Sequence, residues 1–247
     1  MWYKLKRILI YPDGVTEKQV RPSYNPWIYY NSWLGLISLS SDGSSWITIA
    51  DKNLGAVNVL DYGAFYQWGN NYWFTGSPWQ HNRTVDASTY WPWNYYSGST
   101  FLTWNRDWSS VTNDNLWWGT TWTVTAKQWP CASGYHIPSE PEMTNLIDVA
   151  KTLWAVTTWA TIVTYLKIPY WWYITNDGWM RGLSGSYGFC WTATWNWSKA
   201  KFLQFDSGNI WYWSGQEWWK TMWANIRPFK NEATIPDNTR TVLYQPN

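Results

Sequence analysis

The sequence contains few charged residues. Lys, Arg, Asp and Glu make up 14% of its 247 residues, and the formal net charge is +2. A surface that binds nucleic acid needs clustered positive charge. The composition therefore gives no electrostatic support for a DNA or RNA partner.

Long hydrophobic runs are also missing. The longest apolar-leaning run, residues 152–166, is Thr-rich and shorter than the roughly 20 residues that a membrane-spanning helix needs. Near the start, the only apolar core is ILIY at residues 8–11, whereas a signal peptide has an apolar region of roughly 7–15 residues. We therefore expect no transmembrane segment, and no signal peptide is visible. A fragment, a mature form and export without a Sec signal all stay open.

Cysteine and histidine are scarce. Cys131 and Cys190 permit one disulfide, and two unpaired buried thiols are the alternative. Neither cysteine forms a CxxC motif, and His81 and His136 are the only histidines, so no metal-ligand spacing is present. No P-loop or hydrolase motif occurs either. We therefore expect no metal, no cofactor and no catalysis.

Tryptophan is the residue in excess, with 28 in the chain. Trp171 and Trp172 follow closely on Pro169, and Trp179 follows an NDG triplet, where turns favour Gly, Pro, Asn, Asp and Ser. Tryptophan could serve as rigid contact area in a binding protein. It could anchor a membrane interface, an interpretation that the missing span argues against. In a third interpretation, many of these positions are translation artefacts, and their codons specify a residue other than tryptophan.

The order of structural signals predicts an α+β fold. Residues 69–129 are rich in turn residues and predict long surface loops, which commonly carry function. Within them, Asp107 and residues 112–115 could ligate calcium, although a polar turn is the simpler interpretation. Residues 160–168 fit a second helix or a strand. Strands are predicted at residues 3–11, 34–40, 46–50, 188–194, 200–206, 209–213, 224–229 and 240–244.

One helix is clearly signalled after residue 138. Ser139 is followed three residues later by Glu142, which is the spacing of a capping box. Apolar residues then recur at helical spacing, which predicts a stripe that faces the core. The stripe consists of Met143, Leu146, Ile147 and Ala150.

Several segments occur in the order of a known family. They are ITIADKNLGA, YGAFYQWGN, CASGYHIPSEPEM, GSYGFCWTAT and ANIRPFKN. Together they resemble the Fibrobacter succinogenes major paralogous domain family from about residue 46 to residue 231. The resemblance implies a C-type-lectin-like fold, with short twisted antiparallel sheets, related to the formylglycine-generating sulfatase modifiers. The domain that it implies spans residues 26–231. The alternating residues before it indicate an N-terminal arm or strand at 1–25, and the polar residues after it indicate a C-terminal extension at 232–247.

The resemblance also bears on the cysteines and on His136. The sulfatase-modifying relatives depend on a pair of reactive cysteines late in the domain, whereas only Cys190 lies late in this chain. Arg227 and Pro228 stand in the region of the family's usual late cysteine. We therefore do not expect that activity here. His136 occupies a family position, where we expect it to satisfy a buried hydrogen bond.

Where the family pattern has glycine, this sequence often has tryptophan. Some bacterial lineages and their phages use an alternative genetic code in which UGA encodes glycine, and translating UGA as Trp would produce such a sequence. Glycine also supplies the positive φ that some turns need. Trp68, Trp104, Trp108 and Trp191 fit as true tryptophans. We expect glycine at positions that include Trp73, Trp118, Trp122, Trp129, Trp171, Trp172, Trp179, Trp195, Trp197, Trp211, Trp213, Trp218, Trp219 and Trp223.

C-type-lectin-like domains present variable residues from the C-terminal sheet and its loops. The corresponding stretch of this chain is rich in Tyr, Asn and Ser, which suit adaptable recognition. A core-strand position is the alternative for Trp191 and Tyr212. The predicted ligand-binding residues are Tyr187, Trp191, Asn196, Lys199, Lys201, Gln204, Asp206, Asn209 and Tyr212.

These observations predict a non-enzymatic protein that binds a ligand or receptor, with a surface protein or glycan as its partner. We expect it outside the cell, at a bacterial cell surface or on a phage virion as a tail protein, where a homo-oligomer would be compatible. One alternative is the variable protein of a diversity-generating retroelement. Another is a metal-dependent enzyme related to the sulfatase modifiers, which loss of turnover on replacing His81, His136 or Cys190 by Ala would favour.

The genetic-code hypothesis makes a direct prediction. The codons at most of the suspected positions should be UGA, and tryptic peptides from the native source should carry glycine there when measured by mass spectrometry. UGG codons at Trp171, Trp172 and Trp223 would contradict the hypothesis.

Overall fold

The structure is a computed structural model with one substantial helix and several small sheets. It describes residues 27–31, 34–74, 83–84, 101–102, 117, 127, 130–154, 162–170, 173–174, 180–181, 187–196, 199–206, 210–211, 217–232 and 242–243. Its strands are β1 Trp27–Asn31, β2 Leu36–Ser40, β3 Ile47–Ala50, β4 Tyr66–Gln67, β5 Arg83–Thr84, β6 Phe101–Leu102, β7 Tyr135–His136, β8 Tyr173–Ile174, β9 Met180–Arg181, β10 Tyr187–Asn196, β11 Lys199–Asp206, β12 Ile210–Trp211, β13 Glu217–Trp219, β14 Trp223–Ala224, β15 Phe229–Lys230 and β16 Val242–Leu243. Helix α1 spans Glu140–Trp154, and a single π-helical turn spans Ile162–Leu166. The α+β fold predicted from the sequence is confirmed.

The largest sheet in the described part of the chain has six strands, in the order β16-β1-β2-β3-β15-β7, all antiparallel. Strands β2 and β3 form the hairpin that the sequence predicts. In its turn, Asp42 Oδ1 accepts the N–H groups of Ser44 and Ser45 at 2.8 and 2.9 Å, which holds the pKa of Asp42 below its usual range. The predicted strand near the C-terminus is confirmed as β16, which pairs with β1.

Helix α1 begins with the predicted capping box. The N–H of Ser139 donates to Glu142 Oε2 at 2.7 Å, and the N–H of Glu142 points back to Ser139 Oγ at 3.4 Å. The apolar stripe is confirmed as well, because its four members are buried in one cluster with residues of β2 and β3. Of the segment at 160–168, residues 162–166 form the π-helical turn, with Ile162 and Leu166 buried.

The hairpin of β10 and β11 separates two hydrophobic clusters. One face contributes Phe189, Trp191 and Phe202 to the first cluster, which also contains Trp68 and Trp117. The opposite face contributes Cys190, Leu203 and Phe205 to the second cluster, together with the stripe of α1. Burial on both faces explains why apolar residues stand next to one another in the strands, as at Phe189–Trp191 in β10 and Phe202–Leu203 in β11.

The predicted strand at 224–229 is split into β14 and β15. Between them, Arg227 is fully buried, and its guanidinium donates from Nη1 to the carbonyl of Ala50 at 2.8 Å and from Nη2 to that of Lys167 at 2.6 Å. Turning this side chain inward interrupts the strand but joins β3 to the segment after the π-helical turn.

In the part of the chain that the structure describes, no helix is both long and apolar enough to cross a membrane. The predicted arm at 1–25 lies outside the described residues, as does most of the loop region 69–129. Residues 69–74 are described, and the short strands β5 and β6 pair in parallel.

Gly188 provides a stability test of the two-faced hairpin. A Cβ at this position would overlap the ring of Phe205, so Gly188→Ala should lower the free energy of unfolding by about 1–3 kcal/mol. The measurement is chemical denaturation of the full chain.

Phe205→Leu supplies the matched control, since it removes the ring that an alanine at 188 would strike. The double variant should lose less free energy than the sum of the two single losses. Strict additivity would mean that the two residues do not meet as described.

Candidate functional site

The predicted recognition residues that the structure describes lie on strands β10 and β11. Tyr187 and Asp206 are paired in register, and Phe189 is paired with Gln204, which is half-buried. Strand β13 pairs with β11 from Lys199 to Lys201. Asn209 and Tyr212 lie outside the described residues.

Trp191 is a core residue. It is fully buried, its indole Nε1 donates to the carbonyl of Tyr66 at 2.8 Å, and its ring meets Phe202 edge-on at 6.1 Å. The structure therefore supports the alternative prediction, a core-strand position, for this residue. Its role is to hold β10 against the segment that contains β4.

Lys201 is committed to ion pairs inside the fold. It is 8% exposed, and its Nζ lies 2.9 Å from Glu217 Oε1 and 3.9 Å from Glu140 Oε1. These contacts connect β11 with β13 and with the first residue of α1. Lys201 thus positions the surface residues around it rather than presenting its own charge.

Glu217 joins the two strands at this edge. Besides Lys201, it accepts a hydrogen bond from Asn196 Nδ2 at 2.7 Å. Burial raises the pKa of Glu217, but the hydrogen bonds from Asn196 and Lys201 outweigh it, so the net pKa lies below the usual value. The carboxylate therefore stays charged at neutral pH.

An indole lies beside these polar groups. Lys199 Nζ lies 5.2 Å from the centre of the Trp219 ring, and the two residues are paired in register. Asn196 is exposed, whereas Lys199, Glu217 and Trp219 are half-buried. We call these four residues the edge patch. Within about one strand spacing it combines an amide, an ammonium, a carboxylate and an aromatic face.

Some suspected glycine positions fall on the described residues. Trp218 and Trp219 lie in strand β13, and Trp218 packs on Phe189 and Phe202 with ring centres 4.9 and 4.6 Å apart. Among the described non-glycine residues, only Leu60 and Lys167 have positive φ. The backbone therefore does not require glycine at these tryptophans.

Trp223, another suspected glycine position, fills the core. Its ring stacks on Phe74 at 4.5 Å and on Phe65 at 6.2 Å, and the side chain is fully buried. Trp73 is exposed. Trp195 and Trp211 lie in β10 and β12, and the remaining suspected positions lie outside the described residues.

Both cysteines are free, buried thiols that belong to different core clusters, so the disulfide that the sequence permits is not formed. Burial raises the pKa of the Cys131 thiol. Burial also raises the pKa of Cys190 to about 12, although the charge of Arg227 acts in the opposite direction. Thiols that remain protonated are poor nucleophiles.

His136 satisfies buried hydrogen bonds, as the sequence predicts. Its Nδ1 lies 2.9 Å from Asn231 Oδ1, and its Nε2 lies 3.0 Å from Glu142 Oε1. Glu142 also binds Lys127 Nζ at 2.7 Å. Burial raises the pKa of Glu142, but the hydrogen bonds from His136, Lys127 and Ser139 hold it well below its usual range.

Within the described ranges, no three residues among His, Cys, Asp and Glu lie together in a way that could hold a metal ion. His81, Asp107 and residues 112–115 lie outside those ranges.

Comparison with known proteins adds no relative: no protein-family model, no curated protein and no solved structure matches the chain. The resemblance to the Fibrobacter major paralogous domain family stays a prediction that rests on the sequence motifs.

Sequence reasoning did not identify Glu217. It stands alone in SGQEWW, without the spacing of any known motif. Its importance comes from contacts with Asn196 and Lys201, which are distant in the chain. Finding Glu217 from the sequence would have required knowing that β11 pairs with β13.

Glu217→Gln should lower the free energy of unfolding by about 1–2 kcal/mol at neutral pH, a value discounted for partial solvent exposure. Because the pKa of Glu217 is lower in the folded state, this stability is present above the ordinary Glu pKa of about 4.3 and is lost as the pH falls through the folded value. Urea denaturation should show that the difference in the free energy of unfolding between wild type and variant decreases at acidic pH.

Glu232→Gln, at an exposed position after β15, is the matched control and should leave the free energy of unfolding unchanged. If the loss of unfolding free energy in Glu217→Gln stays constant down to acidic pH, the ion-pair explanation is contradicted.

Proposed function

We propose that the protein is a non-enzymatic binding protein that recognises a surface protein or a glycan through its C-terminal hairpin and the edge patch. It would act at a bacterial surface or on a phage tail. The observation that carries this proposal is the edge patch, where Asn196, Lys199, Glu217 and Trp219 lie side by side.

The hairpin gives the edge patch a rigid support. The indole Nε1 of Trp68 donates to the carbonyl of Thr192 at 2.9 Å, and the N–H of Trp191 donates to the carbonyl of Asn225 at 2.9 Å. The N–H of Ala193 donates to the carbonyl of Pro138 at 2.8 Å. A scaffold fixed in this way reduces the entropy that a partner's binding must overcome.

The chemistry of the edge patch suits a partner rich in hydroxyl or amide groups. Amide and ammonium groups donate hydrogen bonds, the carboxylate accepts them, and an indole offers a flat apolar face. Tryptophan recurs among the residues that dominate binding energies, and a cation over its ring is attracted to the aromatic face. A surface protein or a glycan can engage all of these groups.

The buried cysteines and His136 favour binding over catalysis. Cys131 and Cys190 are buried with raised pKa values, and both ring nitrogens of His136 have partners inside the fold. A nucleophile or general base needs access to its substrate. These side chains suit structural roles.

The test is binding of the fluorescently labelled full chain to intact bacterial cells and to a glycan array. Replacing Asn196 and Lys199 together by Ala should weaken binding by about tenfold or more, since it removes both the amide and the ammonium of the patch. Flow cytometry and array fluorescence measure the change.

A second double variant, Asn145→Ala with Lys151→Ala, changes the same residue types on α1 and should bind like wild type. Equal binding by wild type and both double variants would remove the edge patch from the proposal. A measured catalytic turnover that is lost in Cys190→Ala would overturn the non-enzymatic assignment.

A further inference from the structure

A cleft lies at the open end of the β2–β3 hairpin, away from the edge patch in sequence. Its volume is about 470 Å³, within the range of small-molecule sites. The cleft is bounded by the turn before β2, by the residues that follow β3 and by the loop at 52–63. Its lining includes Tyr30, Leu34, Asp51, Lys52, Val57 and Tyr135.

The loop at 52–63 is preformed by its own hydrogen bonds. Its ends meet where the N–H of Ala64 donates to the carbonyl of Leu54 at 2.8 Å. At its tip, Asp61 Oδ2 accepts the backbone and side-chain N–H groups of Asn58 at 2.7 and 3.0 Å. Leu60 has a positive φ of 76°, which is a strained conformation for a leucine. Residues with such strained backbone conformations are frequent at functional sites.

The rim of the cleft is apolar and faces solvent. Val57 is 78% exposed and Leu34 is 54% exposed, and both line the cleft. Compact loops closed on themselves are frequently functional, and exposed apolar side chains grouped at one place commonly mark a binding site. The rim therefore offers a ligand an apolar contact.

Asp51 supplies a carboxylate at the base of the cleft. It is only 3% exposed, its Oδ2 accepts the hydroxyl of Tyr30 at 3.0 Å, and its Oδ1 has no hydrogen-bond donor. Gly35, another lining residue, lies close against this oxygen, since a Cβ there would approach Oδ1 to 3.1 Å. A buried carboxylate oxygen without a donor is costly, so a ligand that donates to it gains affinity.

The neighbouring cations do not fill this role. Arg227 interacts electrostatically with Asp51, but its Nη1 and Nη2 donate to the carbonyls of Ala50 and Lys167. Lys52 Nζ donates to the carbonyl of Val57 at 3.2 Å. The Oδ1 atom of Asp51 therefore accepts no hydrogen bond from either cation.

From these contacts we infer that the cleft binds a small organic ammonium, a primary amine on a short apolar chain. The ammonium donates to Asp51 Oδ1, the rings of Tyr30 and Tyr135 provide aromatic surface for the cation, and Val57 and Leu34 cover the alkyl chain. This site is separate from the edge patch and does not depend on the function proposed for it.

The experiment compares n-butylammonium, n-butanol and butyrate as probes, titrated by NMR into the full chain. The ammonium should bind about tenfold or more tightly than the alcohol, because it adds a charge-assisted hydrogen bond to the same apolar contact. Butyrate should not bind. Absence of n-butylammonium binding, or equal affinity for ammonium and alcohol, overturns the inference.

Two substitutions at the exposed rim residue test the charge requirement without disturbing the core. Val57→Arg places a competing guanidinium at the mouth and should abolish ammonium binding, whereas Val57→Gln, similar in polarity but neutral, should retain most of it. Equal effects of the two substitutions contradict an electrostatic site.

Asp51→Asn should remove the preference for ammonium over alcohol while leaving alcohol binding in place. If this variant does not fold, as judged by its NMR spectrum, the pair of variants at Val57 decides the question.

Discussion

Strands β10 and β11 are buried on both faces, and the rest of the described structure is arranged around them. One face packs on the aromatic cluster that contains Trp68 and Trp117, and the other packs on α1 and the large sheet. Gly188 leaves room for the ring of Phe205 across the pair. Close-packed cores tolerate little displacement, so the hairpin is held in place. Asn196 and Lys199 of the edge patch lie at the ends of its strands and are therefore held in place as well.

Local signals in the sequence predicted the elements well, but they did not predict the contacts between distant residues. The capping box of α1 involves Ser139 and Glu142, three residues apart, and the β2–β3 hairpin closes over a short turn, so both are visible in the sequence. Arg227 is different: it binds the carbonyls of Ala50 and Lys167, far away in the chain. The same holds for Glu217, whose partners Asn196 and Lys201 come from another hairpin. No pattern of spacing encodes such contacts.

The predicted recognition residues show the same limit within one hairpin. Residue type alone predicts a binding role equally well for Trp191, Lys201 and Asn196. Burial separates them: Trp191 is core, Lys201 is paired inside the fold, and only Asn196 is exposed. A hairpin buried on both faces removes the alternation that would otherwise have distinguished inward from outward positions.

Buried polar groups close to the cleft differ in whether they have hydrogen-bond partners. Asn225 Nδ2 donates to the carbonyls of both Tyr62 and Ala64. Asp51 Oδ1 and Asn53 Oδ1, by contrast, are buried without hydrogen-bond partners. Native folds leave few such groups, and departures concentrate where a ligand or water completes the site. The incomplete hydrogen bonding at Asp51 is the observation on which the ammonium site that we propose for the cleft depends.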